Sequence, residues 1–146
     1  MTKPMNGPGP YGVADASYRA AGERDGIARV VERFYDLMDE LPVARTIRAM
    51  HPADLALSRE KLEVFLCAWL GGPNEYRARF GPISIPGVHA HFPIDEAERD
   101  AWLTCMAQAV EEQPWDEDFK RYYMRAISVP AERIRVASMM RRAGEL

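Results

Sequence analysis

The sequence has few of the residues that would indicate a disulfide-stapled or membrane-spanning protein. It contains two cysteines, Cys67 and Cys105, in 146 residues. Two are too few for a disulfide scaffold, so we expect free thiols in a reducing compartment and a cytoplasmic location. No apolar run approaches the roughly 18 residues that a membrane-spanning helix needs, and the first ten residues lack the apolar centre of a signal peptide.

Strong charge of one sign is also missing. Lys and Arg number 19 against 22 Asp and Glu, which gives a formal net charge of -3. This slight acidity does not favour binding to nucleic acid or to an anionic membrane surface, because both attract basic surfaces. We therefore expect neither as a partner. The hydrophobic fraction of 47% is ordinary for a globular protein that buries a core.

The usual catalytic motifs are absent from the sequence. Gly71-Gly72-Pro73 lacks the Lys and Ser/Thr of a phosphate-binding loop and instead predicts the end of a helix. We find no nucleophilic serine in an elbow motif, no paired carboxylates and no alternating strand pattern. These absences exclude the commonest nucleotide-binding and hydrolase sites.

Helical signals dominate what is present. Residues 1–12 hold three Pro and three Gly and predict a flexible N-terminal extension, followed by a single domain over 13–146. Within that domain, apolar spacing, N-caps and breakers predict an all-α fold without strands. The predicted helices are 14–21, 25–40 with Asp25 as N-cap, a short turn at 42–50, 58–71, 95–112 with Asp95 and Glu98 as capping pair, and a last one from 115 past 139, interrupted at Val129-Pro130. Residues 73–94 carry four prolines and form the longest break in regular structure.

The three histidines are the best candidates for metal binding. His89 and His91 end the proline-rich stretch just before a predicted helix, and a neutral imidazole there could hold haem iron. Tetrahedral zinc is not indicated, because the two cysteines are distant from each other. From the residues alone, two partly exposed loop histidines are the more common interpretation of this pattern. The aromatic residues on inward helix faces are similarly open, since they suit either a plain core or an apolar ligand pocket.

Five motifs occur in the order and spacing of one known family. Together they resemble the group II truncated haemoglobins over residues 11 to 140. The motifs are Val31-Glu-Arg-Phe-Tyr35, Met50-His-Pro52, Phe65-Leu-x-x-Trp-Leu-Gly-Gly-Pro73, His89-x-x-Phe92-x-Ile94 and Glu98-Arg-Asp-Ala-Trp-Leu-x-Cys-Met106. The resemblance implies a truncated-globin two-over-two helical sandwich around haem b.

Individual roles follow from the matched positions. The resemblance assigns His89 as the iron ligand, and it places Tyr35, His51 and Trp102 on the distal side, where a bound diatomic ligand would lie. It further implies cofactor contacts on the distal helix and before the next helix, at Ser58, Leu62, Phe65, Phe92 and Ile94.

The chain departs from the family at three places. Residues 83–88 carry no charge, whereas relatives have basic residues there, so the haem propionates must find other partners, with Arg77 and Arg79 as candidates. His91 stands where proline is common, which leaves it as an alternative iron ligand to His89. The region around Val129-Pro130 also fits the family poorly.

The resemblance implies binding of O2, NO or another diatomic ligand. Negative charge develops on oxygen held by ferrous haem, and each hydrogen bond to such a group contributes about 1.5–3 kcal/mol. We therefore expect slow release, which suits nitric oxide or peroxide detoxification with a reductase more than oxygen transport. His51 is interpreted as a third hydrogen-bond donor to the bound ligand, with proton delivery to that ligand as the alternative.

The rival function is a gas or redox sensor, or a haem-free helical interaction module. The sequence is compatible with both a monomer and a homodimer.

Overall fold

All regular structure in the described part of the chain is helical. The structure is a computed structural model that describes residues 10–81 and 92–144. It confirms the all-α prediction for these residues, and none of their helices is long and apolar enough to cross a membrane. The helices are α1 (Ala16–Ala20), α2 (Glu23–Glu40), a 3-10 turn (Pro42–Ala44), α3 (Arg45–Ala49), α4 (Ala56–Trp69), α5 (Tyr76–Phe80), α6 (Glu96–Glu111) and α7 (Glu117–Gly144).

Helix α2 is the centre of the fold. Its inward stripe follows helical spacing and is buried at Ile27, Val30, Val31 and Phe34. The helix begins at Glu23, two residues before the predicted N-cap Asp25. The reason is Gly22, whose φ of +89° makes the sharp left-handed turn into the helix that a residue with a side chain would resist.

Two helix pairs surround the core. Helix α2 packs against α4 and also against α6, and α6 packs in turn against α7. The pairs α2–α4 and α6–α7 are therefore joined through the contact between α2 and α6. Tyr123 and Phe119 of α7 and Met106 of α6 fill the space between them and are fully buried.

The last helix is continuous, and the predicted interruption at Val129-Pro130 is wrong. Helix α7 runs from Glu117 to Gly144 with Pro130 inside it. A mid-helix proline removes one backbone hydrogen bond and costs about 3 kcal/mol. The helix persists because residues on both sides of the proline are buried in the core. Ile127 is buried before Pro130, and Ala131 and Ser138 are buried after it.

Residues that the sequence assigns to the N-terminal extension contact the helices. The Tyr11 hydroxyl donates to Asp118 at 3.0 Å, and its ring lies 5.1 Å from that of Phe119. The Gly12 amide donates to the Ser17 hydroxyl at 2.9 Å. Residues 1–9 lie outside the described part of the chain.

Acid stability depends on a carboxylate between α6 and α7. Arg135 and then Arg99 hydrogen-bond to Glu132 and lower the pKa of its carboxyl from 4.5 to about 2. A carboxyl with a lowered pKa in the folded state stabilises the protein above its ordinary pKa and loses that contribution as pH falls from about 4.5 to 2. We expect the thermal midpoint of Glu132→Gln to fall less steeply than that of the wild type over this interval. Parallel curves measured by circular dichroism would contradict the assignment.

Candidate functional site

Tyr35 lies between α2, which carries it, and α4, to which it forms a hydrogen bond. It is 5% exposed on α2, and its hydroxyl donates to the backbone carbonyl of Ser58 on α4 at 3.3 Å. Burial raises the pKa of its phenol well above the ordinary value, and the Arg59 guanidinium, 5.6 Å from the ring centre, offsets only part of this effect. The phenol therefore stays protonated and keeps one hydrogen to donate.

His51 lies against the same tyrosine. The two ring centres are 5.9 Å apart in an edge-to-face arrangement. A hydrogen bond also holds the His51 ring, because its Nδ1 lies 2.8 Å from the carbonyl oxygen of Ile47. The structure thus brings Tyr35, His51 and Ser58 together, as the resemblance implies.

Trp102 joins this group through Phe34. The Phe34 ring lies 5.0 Å from that of Trp102 and 4.9 Å from that of Tyr35. Trp102 is half-buried on α6, and its indole N–H has no hydrogen-bond partner among residues 10–81 and 92–144. Buried or half-buried indoles usually find an acceptor. Within the described residues, this donor is therefore unsatisfied.

Helix α4 presents an apolar stripe beside these groups. Ser58, Leu62, Phe65 and Trp69 follow one another at spacings of four, three and four residues and so share one side of the helix. All four are half-buried, although the neighbouring Leu66 is fully covered. Phe65 stacks on Trp69 with ring centres 6.3 Å apart. Residues 10–81 and 92–144 leave this stripe partly uncovered.

A pair of cations stands near the end of that stripe. The Arg79 guanidinium lies 5.2 Å and the Lys61 ammonium 5.5 Å from the centre of the Phe80 ring. Glu60 forms an ion pair with Arg79. The sequence offered Arg77 and Arg79 as candidate propionate partners. Lys61 is a further cation beside Phe80, and nothing in the pattern of α4 distinguishes it from any other exposed lysine.

Phe92 and Ile94 are held by a residue that the sequence analysis missed. Ser138 of α7 is fully buried, and its hydroxyl donates to the Phe92 carbonyl at 2.5 Å and accepts from the Ile94 amide at 2.9 Å. Arg142, one turn later, pairs with Asp95. A lone serine in a helix carries no signal in the sequence that would predict this contact. Both predicted haem contacts are half-buried.

The predicted iron ligand His89 and its alternative His91 lie outside the described residues. Whether haem fits therefore depends on the described residues that would contact it. A porphyrin needs a wide apolar surface, and the half-covered stripe of α4 offers one, together with half-buried Trp102 and Leu103 on α6 and Met124 on α7. The indole N–H of Trp102, part of this surface, has no hydrogen-bond partner within the described ranges. The residues present fit the group.

Comparison with known proteins agrees with this geometry. The sequence model of the family described as Bacterial-like globin matches residues 16–135. A solved group II 2-on-2 haemoglobin from Agrobacterium tumefaciens is 32% identical, with a TM-score of 0.79 over 89% of this chain and 97% of its own. A cold-adapted truncated haemoglobin from Pseudoalteromonas haloplanktis TAC125 is 28% identical, with a TM-score of 0.78 over 81% of this chain and 95% of its own.

A further relative agrees with this family assignment. The group 2 truncated haemoglobin YjbI of Bacillus subtilis (strain 168) is 29% identical over 117 residues, which is 80% of this chain and 86% of that protein. These likenesses confirm the predicted truncated two-over-two globin fold. The chain belongs to the bacterial-like globin family, as a truncated haemoglobin of group II.

Proposed function

We propose that this globin binds haem b through His89 and holds O2, NO or a similar small ligand at the iron. One observation carries the proposal: half-buried apolar side chains of α4 and α6 pack against the same core, and one of them, the Trp102 indole, has an N–H without a partner in the described residues. Family membership supports haem binding in general, and the matched position in the sequence supports His89 over His91.

The distal residues would control how long a ligand stays. Bound haem supplies an iron at which a diatomic ligand coordinates and gains negative charge. Trp102 can donate to that charge without giving up any contact, since its N–H is free among the described residues. Tyr35 can donate by turning away from Ser58, because their 3.3 Å hydrogen bond is longer than the usual hydroxyl bond. Phe34 and Leu62 keep water from competing for these donors.

Slow release suits oxidation better than transport. The proposed reaction combines nitric oxide with dioxygen and one electron to give nitrate, so a reductase must return one electron for each nitrate formed. Turnover of peroxide is the second candidate. Cys67 and Cys105 are buried and unpaired, and burial raises the pKa of both thiols, which fits a cytoplasmic protein without redox-active cysteines.

Lys61 and Arg79 are proposed as partners of the haem propionates. Arg79→Gln would leave the Glu60 carboxylate unpaired beside the propionates, and Lys61→Gln would remove the second cation. We expect the double variant to lose haem to apomyoglobin several-fold faster than the wild type. Arg77→Gln removes the other arginine that the sequence offered as a propionate partner, two residues from Arg79 on the same helix, and should lose haem at the wild-type rate. Equal loss rates in all three proteins would contradict the assignment.

Reconstitution with hemin tests the proposed function. The expected result is a Soret band at one haem per chain that shifts on reduction with dithionite and again on exposure to O2, CO or NO. A folded protein that carries no Soret band after unbound hemin is removed by gel filtration would overturn the proposal. That outcome would favour the rival function, a helical interaction module.

A further inference from the structure

The side of α7 that faces away from the core carries arginines and apolar residues in one line. Successive members are four, four, four, three and four residues apart, so they share one side of the helix over about 28 Å of its axis. This surface, the outer stripe of α7, consists of Arg121, Arg125, Val129, Arg133, Val136 and Met140. The residues of α7 that are buried in the core, among them Tyr123, Ile127 and Ser138, lie on the opposite side of the helix.

The three arginines of the outer stripe are exposed and form no ion pair with any residue of 10–81 or 92–144. Other arginines in these ranges are commonly paired with carboxylates, as Arg33 is with Glu112. Helix α7 holds seven basic residues against three acidic ones, although the whole chain has 19 against 22. A slightly acidic protein therefore presents one line of positive charge that its own described residues do not neutralise.

The apolar members of the stripe indicate which kind of partner it suits. Val129 is 50% exposed and Met140 is 66% exposed, and they alternate with the arginines along the helix. Arginine and methionine are enriched in protein–protein interfaces, whereas lysine and the carboxylates are depleted there. A nucleic acid or an anionic lipid surface is bound through its phosphates by basic side chains, and exposed apolar residues add little to such binding. The composition therefore favours a protein partner with an acidic surface.

The proposed reaction requires a protein of this kind, because each nitrate formed uses one electron from a reductase. The outer stripe lies close to the interior of the globin. Met124, on the same helix, is half-buried and packs against the core on which haem would rest. An α-helix with its side chains is about 10–12 Å across, so a protein bound to the outer stripe lies about one helix diameter from that core.

We propose that the outer stripe of α7 is the docking surface for an acidic electron-donor protein that carries a flavin or an iron–sulfur cluster. Carboxylates of the donor pair with Arg121, Arg125 and Arg133, and its apolar surface contacts Val129 and Met140. The donor passes one electron to ferric haem. An FMN hydroquinone anion that does so becomes the neutral semiquinone, so no bond breaks and no proton moves. The inference rests on the proposed function, because it names the partner that returns the electron.

Stopped-flow reduction of the ferric, haem-loaded protein by an acidic flavodoxin in its hydroquinone form tests this proposal. CO is present, so that each reduced globin is marked by the absorption band of its CO complex. Raising the ionic strength from about 0.01 M to about 1 M shortens the Debye length from about 30 Å to about 3 Å. We expect the second-order rate constant of the wild type to fall at least about tenfold over this range. The triple variant Arg121→Gln, Arg125→Gln, Arg133→Gln should be about tenfold slower at low ionic strength and nearly insensitive to salt.

Three exposed arginines on α1, α2 and α3 provide the charge-matched control. The triple variant Arg19→Gln, Arg29→Gln, Arg45→Gln has the same net charge as the outer-stripe variant and should react within about twofold of the wild-type rate. Glutamine is close to arginine in helix propensity, so both triple variants should fold. The variant Val129→Ser, Met140→Ser should keep the salt dependence but need a several-fold higher flavodoxin concentration for the half-maximal rate.

Equal rates and equal salt dependence in the wild type and the outer-stripe variant would overturn the proposal. An equal loss in the control triple variant would also overturn it, because net charge alone would then explain the effect. So would binding to duplex DNA or to phosphatidylglycerol vesicles, or formation of a dimer, that only the outer-stripe substitutions abolish. Failure of the proposed function would instead appear as a protein without a CO-complex band after reduction with dithionite, so the two failures are distinguishable in one sample.

Discussion

Replacing Trp102 with phenylalanine is expected to accelerate dioxygen release about ten- to a hundredfold. Of the proposed distal groups in the described residues, the Trp102 indole N–H has no protein acceptor, whereas the Tyr35 hydroxyl already donates to Ser58. A hydrogen bond to a charged acceptor contributes about 1.5–3 kcal/mol, which corresponds to about one to two powers of ten in the dissociation rate. Phenylalanine keeps the contact with Phe34 and removes only the donor. The rate is measured by stopped-flow mixing of the oxygenated protein with dithionite or CO.

Trp115→Phe provides the control for this variant. The Trp115 indole also donates one hydrogen bond, but to the Ala21 carbonyl at 2.9 Å, so its hydrogen is already bound within the protein. Its loss should lower thermal stability and leave dioxygen release within about twofold of the wild type. An unchanged release rate in Trp102→Phe would remove Trp102 from the distal network.

Gly26→Ala is expected to destabilise the protein by about 3 kcal/mol, and thereby lower the thermal midpoint by roughly 10 °C. A Cβ at Gly26 would overlap with the carbonyl oxygen of Ala21, and it would approach the Trp115 indole that bonds this same carbonyl. The turn between α1 and α2 would have to move and break that buried hydrogen bond. The measurement is thermal unfolding followed by circular dichroism.

Gly144→Ala is the matched control for this substitution. Gly144 is also helical, and a Cβ there would meet nothing within 4 Å among the described atoms. Its replacement should shift the thermal midpoint slightly upwards or not at all, since alanine favours helix over glycine. Equal midpoints for the two alanine variants would contradict the account of the α1–α2 contact.

The sequence predicts those parts of the fold that depend on local interactions. The start of α6 is an example, because the Glu98 carboxylate accepts the Asp95 amide at 2.8 Å within four residues of chain, as the capping pair indicates. The stripe of α2 was predictable for the same reason. The start of α2 was missed by two residues, because Asp25 resembles an N-cap while Gly22 makes the turn.

Contacts between distant segments escaped prediction. Pro130 predicts a break, and only the burial of Ile127 and Ala131 on both sides explains why α7 continues. Ser138 holds the backbone at Phe92 across 46 positions of sequence, which no local pattern encodes. The position of the His51 ring likewise depends on a carbonyl oxygen of α3, that of Ile47. The residue types at the site could be predicted from family resemblance, whereas their hydrogen-bond roles required the structure.

Resonance Raman spectroscopy of the ferrous, ligand-free protein tests the central claim most directly. The account predicts an iron–histidine stretching band in the wild type that disappears in His89→Gly, returns when imidazole is added, and persists unchanged in His91→Gln. Persistence of the band in His89→Gly, with its loss in His91→Gln, would contradict the assignment of His89 as the iron ligand.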